Sequence, residues 1–124
     1  MKNKLKPETK FWHEVKRKIA SIAWIRIENI SIPGTPDLLG YNNHGTFFTV
    51  ELKYTKTNKI KFSPHQIAFH IKHPKNTFIM VYDASSKLPK LYRGAQIQKL
   101  VAWGLTLEPH AKDYDACCLL LEGL

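Results

Sequence analysis

Between residues 8 and 23 the apolar positions Phe11, Trp12, Val15, Ile19, Ile22 and Ala23 recur at intervals of three and four. That is the spacing of one face of a helix. Pro7 and Glu8 suit its first turn, while Lys16, Arg17 and Lys18 occupy the other side. The period then drops to two. WIRIENISI (24–32) alternates apolar and polar residues and is rich in β-branched side chains, which predicts a strand. PGTPD (33–37) is turn chemistry, because Pro36 restricts Thr35 to extended geometry. DLLGY (37–41) opens a second strand, and NNHG (42–45) tolerates the positive φ of a hairpin turn. TFFTVELKYT (46–55) is a third strand, followed by the basic loop KTNKIK. SPHQIAFHIKH (63–73) predicts a helix with Ser63 as N-cap and Pro64 at the first helical position. TFIMVYDA (77–84) is apolar almost throughout, as a strand covered on both faces would be. KLPKLYR (87–93) reads as a short edge strand, where Pro89 is tolerated. GAQIQKLVAWG (94–104) reads as a helix stopped by Gly104. The tail, 105–124, is acidic and then apolar (ACCLLLEGL), and it suits either a last strand or a contact with a second copy or partner.

The order α-β-β-β-α-β, followed by a smaller helix, predicts an α/β domain with a mixed sheet flanked by helices. The 124 residues suffice for a single domain over 1–124, with a core at about 8–104 and a C-terminal tail. No apolar run approaches the ~20 residues of a membrane span. The basic N-terminus leads into an amphipathic segment rather than an apolar signal core, so an intracellular, cytoplasmic setting is expected. Cys117 and Cys118 are adjacent, which argues against a disulfide framework and for a reducing compartment. Neither has the spacing or companion residues of a zinc site or a catalytic thiol.

Charge changes the picture. The chain carries +9 at neutral pH, and residues 1–62 hold 12 Lys/Arg against 5 Asp/Glu, whereas 63–124 hold 7 against 5. A small domain this basic suits a polyanionic partner. Yet the basic half also places Asp37, Glu51 and Lys53 within apolar strand sequence. Glu51 and Lys53, two apart, share one strand face, with Leu52 turned to the other. A hairpin centred on 42–45 pairs residues whose numbers sum to about 87 or 88, which brings Asp37 beside Glu51. Two adjacent carboxylates resist ionising together, and a divalent cation resolves the conflict. Mg²⁺ or Mn²⁺ on Asp37, Glu51 and the Leu52 carbonyl, with Lys53 beside it, has the parts for hydrolysing a phosphodiester. Lys16, Arg17, Lys56, Lys59, Lys61 and His65 are the residues expected to track a DNA backbone. Less specific readings are that Asp37 is an ordinary turn residue and that Glu51 and Lys53 form a salt-bridged strand face. GTPDLLG lacks the Gly-Lys-Ser/Thr ending of a phosphate-binding loop, which excludes an NTPase of that type.

Pro36-Asp37 followed by Glu51-Leu52-Lys53 resembles the PD-(D/E)xK nuclease signature, on the element order of that restriction-endonuclease-like core. GTPDLL, an upstream helical Glu (Glu14) and the SPHQ helix start with Gln66 look most like the small, stand-alone VRR-NUC nucleases of viruses and phages. The resemblance covers about residues 8–83. It implies an active site of Glu14, Asp37, Glu51, Lys53 and Gln66 around Mg²⁺ or Mn²⁺, with Glu14 also among the metal ligands. It further implies a homodimer cutting branched DNA such as Holliday junctions, in a host cell cytoplasm if phage-encoded. Glu14 also suits a surface pair with Lys18, and Gln66 a simple helix cap. A non-catalytic nucleic-acid-binding module of the same fold is the alternative.

Overall fold

The computed structural model describes residues 5–27 and 32–124. Its elements run α1 (Pro7–Lys18), β1 (Ala23–Arg26), β2 (Leu38–Tyr41), β3 (Phe47–Thr55), α2 (Pro64–Lys72), β4 (Thr77–Asp83), β5 (Leu88–Arg93), α3 (Ile97–Trp103), β6 (Ala111–Lys112) and α4 (Tyr114–Glu122). The strands form one six-stranded mixed sheet in the order β1-β2-β3-β4-β5-β6. Every neighbouring pair is antiparallel except β3 and β4, which α2 connects as a crossover. No described helix is long and apolar enough to cross a membrane.

The alternation in β3 divides the molecule into two layers. Phe48, Val50 and Leu52 face α1 and α4, packing with Phe11, Trp12 and Val15 from one helix and Cys117 and Leu121 from the other. Thr49, Glu51, Lys53 and Thr55 take the other face. There α2 and α3 cover a second cluster that includes Ile79, Val81, Tyr92, Ile97 and Leu100. The one charged side chain buried in β3 is therefore Glu51, which lies under α2.

Several expectations are met closely. The turn at 42–45 closes with Gly45 at φ 82°, and β2 pairs with β3 in the register Leu38↔Val50, so paired numbers sum to 88. α2 starts at Ser63-Pro64 and α3 ends at Gly104, which has φ 58°. Others need correction. The first helix stops at Lys18 rather than running to residue 23: Ile19 still donates to the Val15 carbonyl, but at φ −112° and ψ 58° its backbone leaves the helix. Ile19 and Ile22 keep the predicted burial from within the following turn. The predicted strand 24–32 is seen at Ala23–Arg26, and its part at 28–31 lies outside the described residues. β5 is not an edge strand: Lys90 and Leu91 pair with β6. The tail does supply a last strand, the two-residue β6, and adds a helix that packs on the core. Asp113 caps α4, which buries Cys117 and Leu121 in the principal core. Two such buried side chains contribute on the order of a few kcal/mol to holding it there.

Candidate active site

The site forms where β2 and β3 part company. Gly34, at φ 83°, lets the 33–37 loop lie directly on the first turn of α2; a Cβ at this position would stand 2.4 Å from the His65 carbonyl oxygen. Pro36 then delivers Asp37 to the end of β2. The Asp37 carbonyl accepts from the Ile27 N–H (2.7 Å), and its Oδ2 accepts from the Leu52 N–H (2.7 Å). A side chain thus takes the hydrogen bond that a further β2 residue would have made. Backbone pairing ends there, and the register continues to set Asp37 opposite Glu51. Within a strand the N–H and C=O of one residue point to the same side, so the Leu52 carbonyl shares this open edge.

Glu51 is 3% exposed. Its Oε2 accepts from Gln66 Nε2 (3.2 Å), while its Oε1 is buried with no hydrogen-bond partner among the described residues. Burial above all, then the adjacent Asp37 carboxylate, push the Glu51 carboxyl up to about 9; Lys53 pulls against them and Glu8 adds to them. A proton shared with Asp37, or a cation, would satisfy the orphaned oxygen.

Lys53 Nζ donates to Gln66 Oε1 (2.9 Å) and lies 5.0 Å from the centre of the Phe62 ring. The same Gln66 oxygen accepts from the Ser63 N–H (3.0 Å), while the Gln66 N–H donates to Ser63 Oγ (3.1 Å). Gln66 is therefore both the capping-box residue of α2 and the bridge between Glu51 and Lys53. Its amide orientation follows from its partners. Two donors face the oxygen, and a carboxylate faces the nitrogen.

The upstream helical acid differs from expectation. Glu14 is held by Arg17 (2.9 Å) and Lys18 (3.3 Å) on the solvent side of α1, and its carboxyl is lowered chiefly by the Arg17 hydrogen bond. It is not brought to Asp37. Glu8 is. It lines a cleft of about 440 Å³ together with Asp37 and Leu52, and a neighbouring cleft of about 570 Å³ together with Lys53. Although Glu8 is exposed as a residue, its carboxyl is raised, first by partial burial; Lys53 lowers it and Asp37 raises it. A signal for this was present in the helical period. Glu8 lies three before Phe11 and four before Trp12, on the buried stripe, whereas Glu14 is off it.

Of the expected DNA-contacting residues, Lys56, Lys59 and Lys61 line the larger cleft beside Lys53. His65 is exposed in the first turn of α2. Lys16 lies over the Trp12 ring (5.5 Å) and Arg17 pairs with Glu14, and neither lines these two clefts. The smaller cleft holds two cations that sequence reasoning missed, Lys6 and Arg26.

Among the described residues no group of three or more His, Cys, Asp or Glu side chains is arranged to hold a metal ion. The two-carboxylate set nevertheless fits a hard divalent cation. Two apposed acids, one orphaned oxygen and a backbone carbonyl are oxygen donors, and Mg²⁺ normally keeps several waters or phosphate oxygens in its remaining positions. No family model and no curated protein matches this chain.

Proposed function

We propose that this protein is a divalent-metal-dependent endodeoxyribonuclease of the PD-(D/E)xK, VRR-NUC-like type, acting on branched DNA as a homodimer. The observation that carries the reading is the assembly of Asp37, Glu51, Lys53 and Gln66 at a single strand divergence, opening into a lysine-lined cleft. A surface ion pair between Glu51 and Lys53 would not need a buried, proton-retaining carboxyl or an amide bridging the two. The strand order and the α2 crossover also suit that nuclease core. Junction selectivity and the dimer come from the resemblance alone.

Asp37, Glu51 and the Leu52 carbonyl would hold Mg²⁺ or Mn²⁺, with Glu8 as the nearby third acid. The ion would supply polarisation of a phosphate oxygen and a lowered pKa for water. Lys53, fixed by Gln66, presents its charge where negative charge builds on the phosphate. Gln66 keeps the Lys53 ammonium from collapsing onto Glu51 by hydrogen-bonding each separately. Lys56, Lys59 and Lys61 hold the neighbouring backbone.

The test is cleavage of a labelled four-way junction and a matched linear duplex with Mg²⁺ or Mn²⁺, by wild type and Lys53→Ala. Symmetric junction cuts by wild type alone are expected. Equal cutting of both DNAs would remove the junction selectivity. Binding without any cutting would favour the non-catalytic module.

A further inference from the structure

Glu8 and Tyr54 line both clefts, so the two clefts meet at Glu8 instead of opening on unrelated surfaces. Asp37 belongs to one and Lys53 to the other. The function proposed above takes its DNA-backbone contacts from the lysine-lined cleft alone. The second contains Lys6 and Arg26, and neither makes an ion pair among the described residues. Both are exposed, and they share the cleft's lining with Trp12, only 8% exposed, and Tyr54, which stacks on Tyr82 at 5.8 Å. Two exposed cations with no ion pair among the described residues, beside aromatic side chains, suit a sugar-phosphate strand, with phosphate on the cations and the flatter, less polar groups toward Tyr54. They do not suit a hydrated metal ion, which would need oxygen ligands.

We propose that Lys6 and Arg26 form a second phosphate-binding subsite, and that one DNA strand runs through the site from the Lys56–Lys61 side to the Lys6–Arg26 side. This rests on the nucleic-acid reading above and deepens it. The strand would be held on both sides of the phosphate that lies at Asp37 and Lys53. Such a path needs nucleotides beyond the cut in both directions, which explains how a site this small would act within a strand rather than at its end. Arg26 is the stronger anchor of the two, because its planar fork can hold a phosphate through two hydrogen bonds.

The experiment is a phosphate scan read by binding, so that it does not depend on turnover. Fluorescence anisotropy measures the affinity of the whole protein for a branched DNA in which single phosphates are replaced, one at a time, by uncharged methylphosphonates. Wild type is expected to lose affinity at two separate groups of positions. Arg26→Ala should weaken binding roughly five- to eightfold near 0.1 M salt and lower the salt slope by about one. It should also lose its sensitivity at one group of phosphates only, and Arg26→Lys should recover part of it. Lys56→Ala should lose sensitivity at the other group. Lys112→Ala, which removes an equal charge from the opposite sheet edge, is the control. The inference is overturned if Arg26→Ala binds like Lys112→Ala, or if Arg26→Ala and Lys56→Ala silence the same phosphates. Failure of wild type to cleave while both groups persist would remove the nuclease reading and leave the strand path standing.

Discussion

Replacing Glu51 by Gln should make the metal-free protein more stable as it abolishes cleavage. The fold raises this carboxyl from 4.5 to about 9. A carboxyl raised by folding is one that the native state keeps protonated, so its favourable contribution is complete below pH 4.5 and is lost as pH climbs toward 9. At pH 7 the unfolded chain has already ionised Glu51 and the folded chain has not. The gap of 2.5 units above the unfolded value corresponds to about 3 kcal/mol of lost stability. Gln keeps the volume, still accepts from Gln66 and never ionises beside Asp37. Urea titration in EDTA should therefore show Glu51→Gln more stable than wild type by about 3 kcal/mol at pH 7 and by under about 1 kcal/mol at pH 5. The corresponding gain in melting temperature at pH 7 is roughly 10 °C. Mn²⁺ should close the difference by stabilising wild type alone. A Gln variant no more stable than wild type at pH 7, or a difference independent of pH, would refute the account of this site as a strained carboxyl pair.

Glu8→Gln should lower cleavage roughly tenfold or more, while Glu14→Gln leaves it within about twofold, as measured by initial rates on the junction; the opposite ranking would restore Glu14 to the site. Gly34→Ala should cost about 2 kcal/mol or more in urea titration, because φ 83° is disfavoured and the added methyl meets the His65 carbonyl. His70 is 1% exposed with neither ring nitrogen bonded among the described residues, and burial first, then Lys53, depress it to about 4 from 6.5. The unfolded chain then takes up the proton first, so stability should fall by about 3 kcal/mol between pH 6.5 and 4 and level off below. Urea titrations in a Glu51→Gln background, where the opposing carboxyl trend is absent, should show this limb, and His70→Leu should remove it.

Much of the fold was legible because local chemistry and period agreed. The Asn-Asn-His-Gly turn sets a hairpin register, and that register alone brings Asp37 to Glu51. The Ser63-Pro64 start likewise specifies α2 and, through Gln66, the bridge to Lys53. Glu14 came from the resemblance to an upstream helical Glu, whereas the phase of the whole apolar stripe selects Glu8 for the cleft. Lys6 and Arg26 carry no motif and come to line one cleft only through the packing of α1 on the sheet, chiefly on β3. The tail was obscure for a related reason. ACCLLLEGL has no clear period, and its helix depends on the Asp113 cap and on burial of Cys117 and Leu121 against residues far away in sequence.

The single parallel pairing, β3 with β4, has a consequence for how the site comes into being. The Asp37–Glu51 half belongs to a hairpin, which closes across a four-residue turn in microseconds. The Gln66 half belongs to a crossover, whose loop closure is slower and must await β4. An early hairpin would therefore hold two hydrated carboxyls, and the arrival of α2 is what buries Glu51 and raises it. Stopped-flow refolding should find Gly45→Ala slowing the folding limb, with Ser63→Ala acting mainly on unfolding. The chemistry would then be assembled last, on the part of the chain that is latest to acquire its native contacts.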